Sequence, residues 1–91
     1  MKIRLTDPFL KQVRTLLKNI QKRTIETIEQ CKEAQTLSEI HNRKSLYSKK
    51  NRLYFRIRLS DYRIGIQIID NELVFQFVGI RGDFYKTYPP K

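Results

Sequence analysis

The stretch RLYFRIRLSDYRIGI, residues 52–66, decides the fold. Leu53, Phe55, Ile57 and Leu59 alternate with Arg52, Tyr54, Arg56 and Arg58, and after Ser60-Asp61 the alternation resumes with Tyr62, Ile64 and Ile66 against Arg63 and Gly65. Side chains of an extended chain point to opposite faces in turn, so the pattern predicts two strands joined by a tight turn. A two-residue loop at Ser60-Asp61 sets Leu59 opposite Tyr62, Arg58 opposite Arg63 and Arg56 opposite Gly65. Asp70-Asn71 is a second turn-forming pair, and Leu73, Phe75 and Phe77 continue the alternation into a third strand, with Gln76 facing Gly65. One sheet face then carries Leu53, Phe55, Ile57, Leu59, Tyr62, Ile64, Ile66, Ile68, Leu73, Phe75 and Phe77. The other gathers Tyr54, Arg56, Arg58, Arg63, Gln67 and Gln76, with Gly65 leaving room in the middle.

Upstream, Ile3 and Leu5 alternate with Lys2, Arg4 and Thr6, which fits a short first strand. The period then changes. Thr6 or Asp7 can cap a helix opening at Pro8, and Phe9, Val13, Leu16, Leu17 and Ile20 form one apolar stripe. Ile25, Ile28, Cys31 and Ala34 make a weaker face over residues 20–36, read as the second arm of a helical hairpin turning near Lys18-Asn19; one long helix is the rival. Residues 37–51 read as a connection with a short helix around Ser38–Leu46, and the tail KTYPPK reads as the end of the fold. The expected architecture is a single α+β domain over residues 1–91. Its helical hairpin packs on one face of a small antiparallel sheet, in the order β-α-α-β-β-β.

Charge narrows the function. Nineteen Lys and Arg against nine Asp and Glu give a formal net charge of +10 on 91 residues, a field that attracts polyanions. No apolar run approaches the ~20 residues that span a bilayer, and MKIRLTDPFL lacks the apolar core of a signal peptide, so the expected location is the cytoplasm with no membrane partner. One cysteine, Cys31, and one histidine, His41, cannot supply an ordinary zinc site, and the scattered acids show no D-x-D cluster. No metal and no cofactor are expected. Cys31 reads as a small buried helix residue and His41 as a loop residue.

Basic residues on the open face of a sheet are commonly just solvated. Here, however, Arg58 faces Arg63 with no acid at a neighbouring position, an unfavourable cross-strand pair that a bound anion would reverse. Arginine rather than lysine stands at 52, 56, 58 and 63, and the planar guanidinium fork grips phosphate through two bonds at once. A phosphate-binding surface is the better reading.

These residues carry a resemblance. YFRIRLSDYRIGIQI, a turn, a hydrophobic strand and then VGIRGDFY resemble the RelE/ParE superfamily of bacterial toxins, most specifically from Leu53 to Tyr85 and in element order over nearly the whole chain. The resemblance implies a messenger-RNA endonuclease that acts on the ribosome, neutralised by a cognate acidic antitoxin in a hetero-oligomer. Matched residue by residue, the catalytic groups of the RelE-like branch fall on Arg56, Arg58, Arg63, Arg81 and Tyr85. The implied reaction is attack of a ribose 2′-OH on its own phosphate, giving a 2′,3′-cyclic phosphate. Arginine suits the developing negative charge but does not deprotonate, so Tyr85 is the candidate base or a stacking platform. The glutamate or histidine that some members place near the site has no counterpart here, since Ile80 precedes Arg81. Lys44, Lys49, Lys50, Arg52, Tyr54 and Gln67 are candidate RNA or ribosome contacts. Two other functions stay open: a ParE-like DNA gyrase inhibitor on the same fold, and a nonenzymatic RNA-binding module.

Overall fold

The computed structural model describes residues 1–46 and 53–90. Its elements run β1 (Lys2–Leu5), α1 (Asp7–Arg14), α2 (Lys18–Glu33), a 3-10 turn (Leu37–Glu39), β2 (Arg43–Leu46), β3 (Tyr54–Leu59), β4 (Tyr62–Ile69), β5 (Glu72–Ile80) and α3 (Arg81–Thr87). The α+β class and the β-α-α-β-β-β core of this order match the expectation. The sheet differs: it has five strands in the order β1-β5-β4-β3-β2, and β1 lies parallel to β5 while the other pairs are antiparallel. β1 and β5 are far apart in sequence, with the helices and three strands between them, which supplies the long connection that parallel neighbours need. The short helix expected around Ser38–Leu46 is a 3-10 turn followed by β2, an added edge strand.

Local chemistry explains the helices. Thr6 caps α1 by accepting from the Phe9 N–H at 3.4 Å, and its hydroxyl donates to the Phe75 carbonyl at 2.8 Å, tying the helix start to β5. The chain breaks at Thr15–Leu17, three residues before the expected turn. There the Gln21 amide donates back to the carbonyls of Val13 (3.0 Å) and Arg14 (3.2 Å), satisfying acceptors that a helix end leaves open. α2 buries Ile20, Thr24, Ile28 and Cys31 rather than the face that includes Ile25, which is 55% exposed. Thr24 is accommodated because its hydroxyl donates to the Ile20 carbonyl at 2.7 Å.

The main core lies between the helices and one sheet face, and includes Phe9, Phe55, Ile57, Leu59, Ile64, Ile66, Leu73, Phe75 and Val78. Leu53, assigned to this face by alternation, is instead 63% exposed just before β3. The β3–β4 register is the expected one, with Arg58 opposite Arg63 and Arg56 opposite Gly65. The β4–β5 register follows the two-residue turn from Ile69–Glu72 to Ile66–Phe75, but Gly65 does not face Gln76 as expected. Pairing runs from Ile66–Phe75 directly to Gly65–Phe77, so Gln76 is the extra residue of a β-bulge. The bulge turns Phe77 away from the main core, against a second cluster of Tyr54, Phe84 and Tyr88, and returns Val78 to the core.

Gln12 secures this irregular point, its side-chain oxygen accepting from the Val78 N–H at 2.8 Å. The Asp70-Asn71 turn closes without glycine because both residues adopt left-handed φ values of 50° and 64°, a region that Asp and Asn tolerate. Among the described residues no helix is long and apolar enough to cross a membrane.

Replacing Gln12 with Ala leaves the Val78 N–H without its acceptor and is expected to lower stability by about 1–3 kcal/mol, read by urea unfolding. An exposed change such as Glu26→Ala should stay within about 0.5 kcal/mol. Equal stabilities for the two variants would refute this role for Gln12.

Candidate functional site

The second sheet face is not open. α3 and the residue after it lie across it, because Phe84 and Tyr88 are buried with Tyr54 and Phe77 in a small aromatic core. Phe84 meets Phe77 at 5.8 Å and Tyr88 at 5.2 Å between ring centres. The tail thus completes the fold rather than merely ending it.

The arginines stand beside this cover. Lys44, Arg56, Gly65 and Phe77 form one pairing row across four strands, and Arg58, Arg63 and Gly79 form another. Arg56 is anchored by a hydrogen bond from its guanidinium to the Asn42 carbonyl at 2.7 Å. The same carbonyl accepts the Arg58 backbone N–H at 3.1 Å, so the turn at Asn42, with φ of 62°, serves both arginines. Arg63, only 8% exposed, curls over the β3–β4 turn and donates to the carbonyls of Ser60 and Tyr62, each at 2.8 Å. Among the described residues, neither guanidinium forms an ion pair, and the Nε atoms of both are buried with no hydrogen-bond partner. A guanidinium held without a carboxylate keeps donors and charge available for an anion.

Tyr85, on α3 and 46% exposed, lies near enough to Arg56 and Arg63 for both guanidinium groups to act on its hydroxyl. Partial burial by itself favours the neutral phenol, but hydrogen bonding and charge from the two guanidinium groups outweigh it and hold the pKa below the usual phenol value. Arg56, Arg63 and Tyr85 are therefore one cluster.

The other candidate residues are placed as follows. Arg58 is exposed near the end of β3 and borders a separate hollow between α2 and β3. Arg81 is exposed at the first position of α3, where its backbone N–H bonds the Asp61 carbonyl at 2.9 Å beside the β3–β4 turn. Lys44 is exposed on β2 next to Arg56. Tyr54 and Gln67, expected as surface contacts, are buried beneath the α3 cover and line the floor of a cleft of about 500 Å³. Lys49, Lys50 and Arg52 lie outside the described residues. Cys31 is buried, and burial pushes its thiol up to about 11. Among the described residues no three His, Cys, Asp or Glu side chains gather where they would hold a metal ion.

Two contributors escaped the sequence reading, the Asn42 carbonyl and Tyr88. The first is a backbone atom, which no residue type announces. The second was signalled only by Gly65, because a glycine inside a strand marks a bulge or a close approach.

With Arg56 and Arg63 in place, Tyr85 should ionise at a lower pH than a free tyrosine, followed by NMR of its ring carbon bearing the hydroxyl. Arg56→Ala should move the titration upward, since the favoured phenolate loses a cation. A Tyr85 that titrates like free tyrosine in the wild type would disprove the cluster.

Comparison with known proteins accords with this geometry. The family described as "ParE toxin of type II toxin-antitoxin system, parDE" matches residues 3–83. Toxin RelE3 of Methanocaldococcus jannaschii is 30% identical over 90 residues, spanning 98% of this chain and 100% of that protein. The structure of the RelB-RelE antitoxin-toxin complex from Methanococcus jannaschii includes a chain with a TM-score of 0.77 and 28% identity, covering 94% of this chain and 99% of its own. A chain of the archaeal RelE-RelB complex from Pyrococcus horikoshii OT3 shares the fold with a TM-score of 0.72 at 19% identity, covering 89% of this chain and 94% of its own. With the family match over residues 3–83, 30% identity to a RelE toxin and a shared fold over nearly its full length, the chain belongs to the RelE/ParE superfamily of type II toxin-antitoxin toxins.

Proposed function

We propose that this toxin is an endoribonuclease that cleaves messenger RNA on the ribosome. The observation that carries the reading is the cluster itself: two guanidinium groups with no carboxylate partner among the described residues, gathered around a phenol whose ionisation they favour. RNA cleavage of this kind needs a proton acceptor for the ribose 2′-OH and cations for the charge that grows on the phosphorane oxygens. Tyr85, as phenolate, takes the 2′-OH proton. The 2′-oxygen then bonds to the adjacent phosphorus, the 5′-oxygen leaves with its electron pair and takes a proton from water, and a 2′,3′-cyclic phosphate remains. Arg56 and Arg63 supply charge at the phosphate. Arg58, near the end of β3, and Arg81, at the start of α3, extend the positive surface along the RNA, and Lys44 adds to it at the sheet edge.

A chain with a formal net charge of +10 also calls for an acidic partner, and its resemblance to toxins solved in RelB-RelE complexes supports a cognate antitoxin.

One observation favours a second reading. The matching family is described by ParE, which supports inhibition of DNA gyrase by binding, without RNA cleavage. The relatives named RelE and the phenol-arginine cluster favour the nuclease.

On ribosomes programmed with a defined message, the wild type should produce fragments ending in 2′,3′-cyclic phosphate. Tyr85→Phe, which removes the proton acceptor, should slow cleavage by about 10²–10⁴-fold, and Arg56→Ala by about 10²–10³-fold. Intact transcripts accompanied by gyrase-dependent DNA breaks would establish the binding reading instead.

A further inference from the structure

Among the buried groups that the proposed cleavage does not use, Tyr88 has the most specific surroundings. It follows α3 directly and is only 5% exposed. Its ring lies on Gly65 so closely that a Cβ at that position would stand 2.6 Å from Cε2, 2.7 Å from Cδ2 and 2.8 Å from Cζ. Real carbon contacts do not reach such distances, so any other residue at 65 evicts the ring. The ring cannot step aside cheaply. Tyr54 meets it edge-on at 5.6 Å, Phe84 lies at 5.2 Å, and Phe77 stacks at 6.3 Å.

The polar end of Tyr88 is held as well. Its hydroxyl donates to the Gln76 side-chain oxygen at 2.7 Å, and the Gln76 amide donates to the Gln67 side-chain oxygen at 2.8 Å. Burial raises the Tyr88 pKa, so the group remains a hydrogen-bond donor throughout the neutral range. Gln76 is the extra residue of the β-bulge, which is why its side chain is on this face to receive the bond.

The seat also lies beside the reactive cluster. Gly65 pairs directly with Arg56 and is two residues from Arg63 on the same strand face. Tyr85 and Tyr88 are three residues apart, so anchoring one sets the distance at which the other meets the sheet. Phe84, between them in the aromatic core, joins the two by packing on Tyr85 at 5.1 Å and on Tyr88.

We propose that Tyr88, seated on Gly65 and tied to Gln76 and Gln67, is a positioning residue that docks α3 so that the Tyr85 hydroxyl falls on Arg56 and Arg63. Its consequence for catalysis rests on the ribonuclease reading; the docking itself does not. A misplacement of about 1 Å is enough to cost about 10²-fold in rate, so a seat far from the reacting atoms can govern turnover.

The test combines Gly65→Ala, Tyr88→Ala, Tyr88→Phe and the Gly65→Ala/Tyr88→Ala double variant, each checked for native folding by circular dichroism. In Gly65→Ala and in Tyr88→Ala, the Tyr85 titration should rise toward that of free tyrosine. Turnover on programmed ribosomes should fall about 10²-fold with KM changed by less than about twofold, the pattern of a lost transition-state alignment. Tyr88→Phe keeps the ring and should retain a depressed Tyr85 titration. The double variant should be no worse than Tyr88→Ala, because the added methyl no longer has a ring to strike. A folded Gly65→Ala or Tyr88→Ala protein with an unmoved Tyr85 titration, or strictly additive losses in the double variant, would overturn the proposal. If the wild type cuts no RNA, the ribonuclease reading falls, and the titrations alone decide whether the seat docks α3.

Discussion

Register between β3 and β4 is the constraint on which everything else rests. With Arg58 opposite Arg63, Phe55, Ile57, Leu59, Ile64 and Ile66 join the core beneath α1 and α2, and Arg56, Arg58 and Arg63 fall on the alternate positions. A slip of one residue would put the arginines of both strands into the main core and its isoleucines outside. Burying a guanidinium without a partner costs far more than a hairpin can recover, so the register is strongly determined. Placing Arg58 against Arg63 is locally unfavourable, and it persists because the alternative is worse.

That arrangement creates a strand face where, among the described residues, Arg56 and Arg63 have no carboxylate partner, and the fold covers it only in part. α3 closes the middle with Phe84 and Tyr88, while the arginines occupy the rim beside it. The aromatic cover lies next to Arg56 and Arg63, and α3 brings with it a phenol, Tyr85, that those charges perturb. Tyr88 and Tyr85 show how neighbours set the behaviour of the same side chain. Burial among aromatic rings raises the first, and two guanidinium groups lower the second. The first is a fixed donor within the protein, and the second is the more readily ionised phenol.

The β-bulge at Gln76 links the two sides of the sheet. By adding one residue to β5 it sends Gln76 and Phe77 to the α3 face and returns Val78 to the core, where Gln12 from α1 takes up the Val78 N–H. Helix α1 on one face and Tyr88 on the other are thus attached to consecutive stretches of a single irregular strand. The main core and the candidate site are mechanically connected there.

Much of this was legible in the chain itself. Period-two alternation located three strands and the β3–β4 register, the Thr6-Asp7-Pro8 start located α1, and the absence of acids around Arg56, Arg58 and Arg63 pointed to an anion. Those features depend on neighbours close in sequence, and local sterics and solvation decide them. Other features depend on which distant groups meet. The parallel seat of β1, the strand at Arg43–Leu46, the bulge that overturns Phe77 and the docking of Tyr88 on Gly65 each depend on a partner in another element of the fold. No periodicity encodes a vacancy shaped for a ring from 23 positions further along; only the packed structure, in which a missing Cβ and an arriving tyrosine compete for the same volume, decides it.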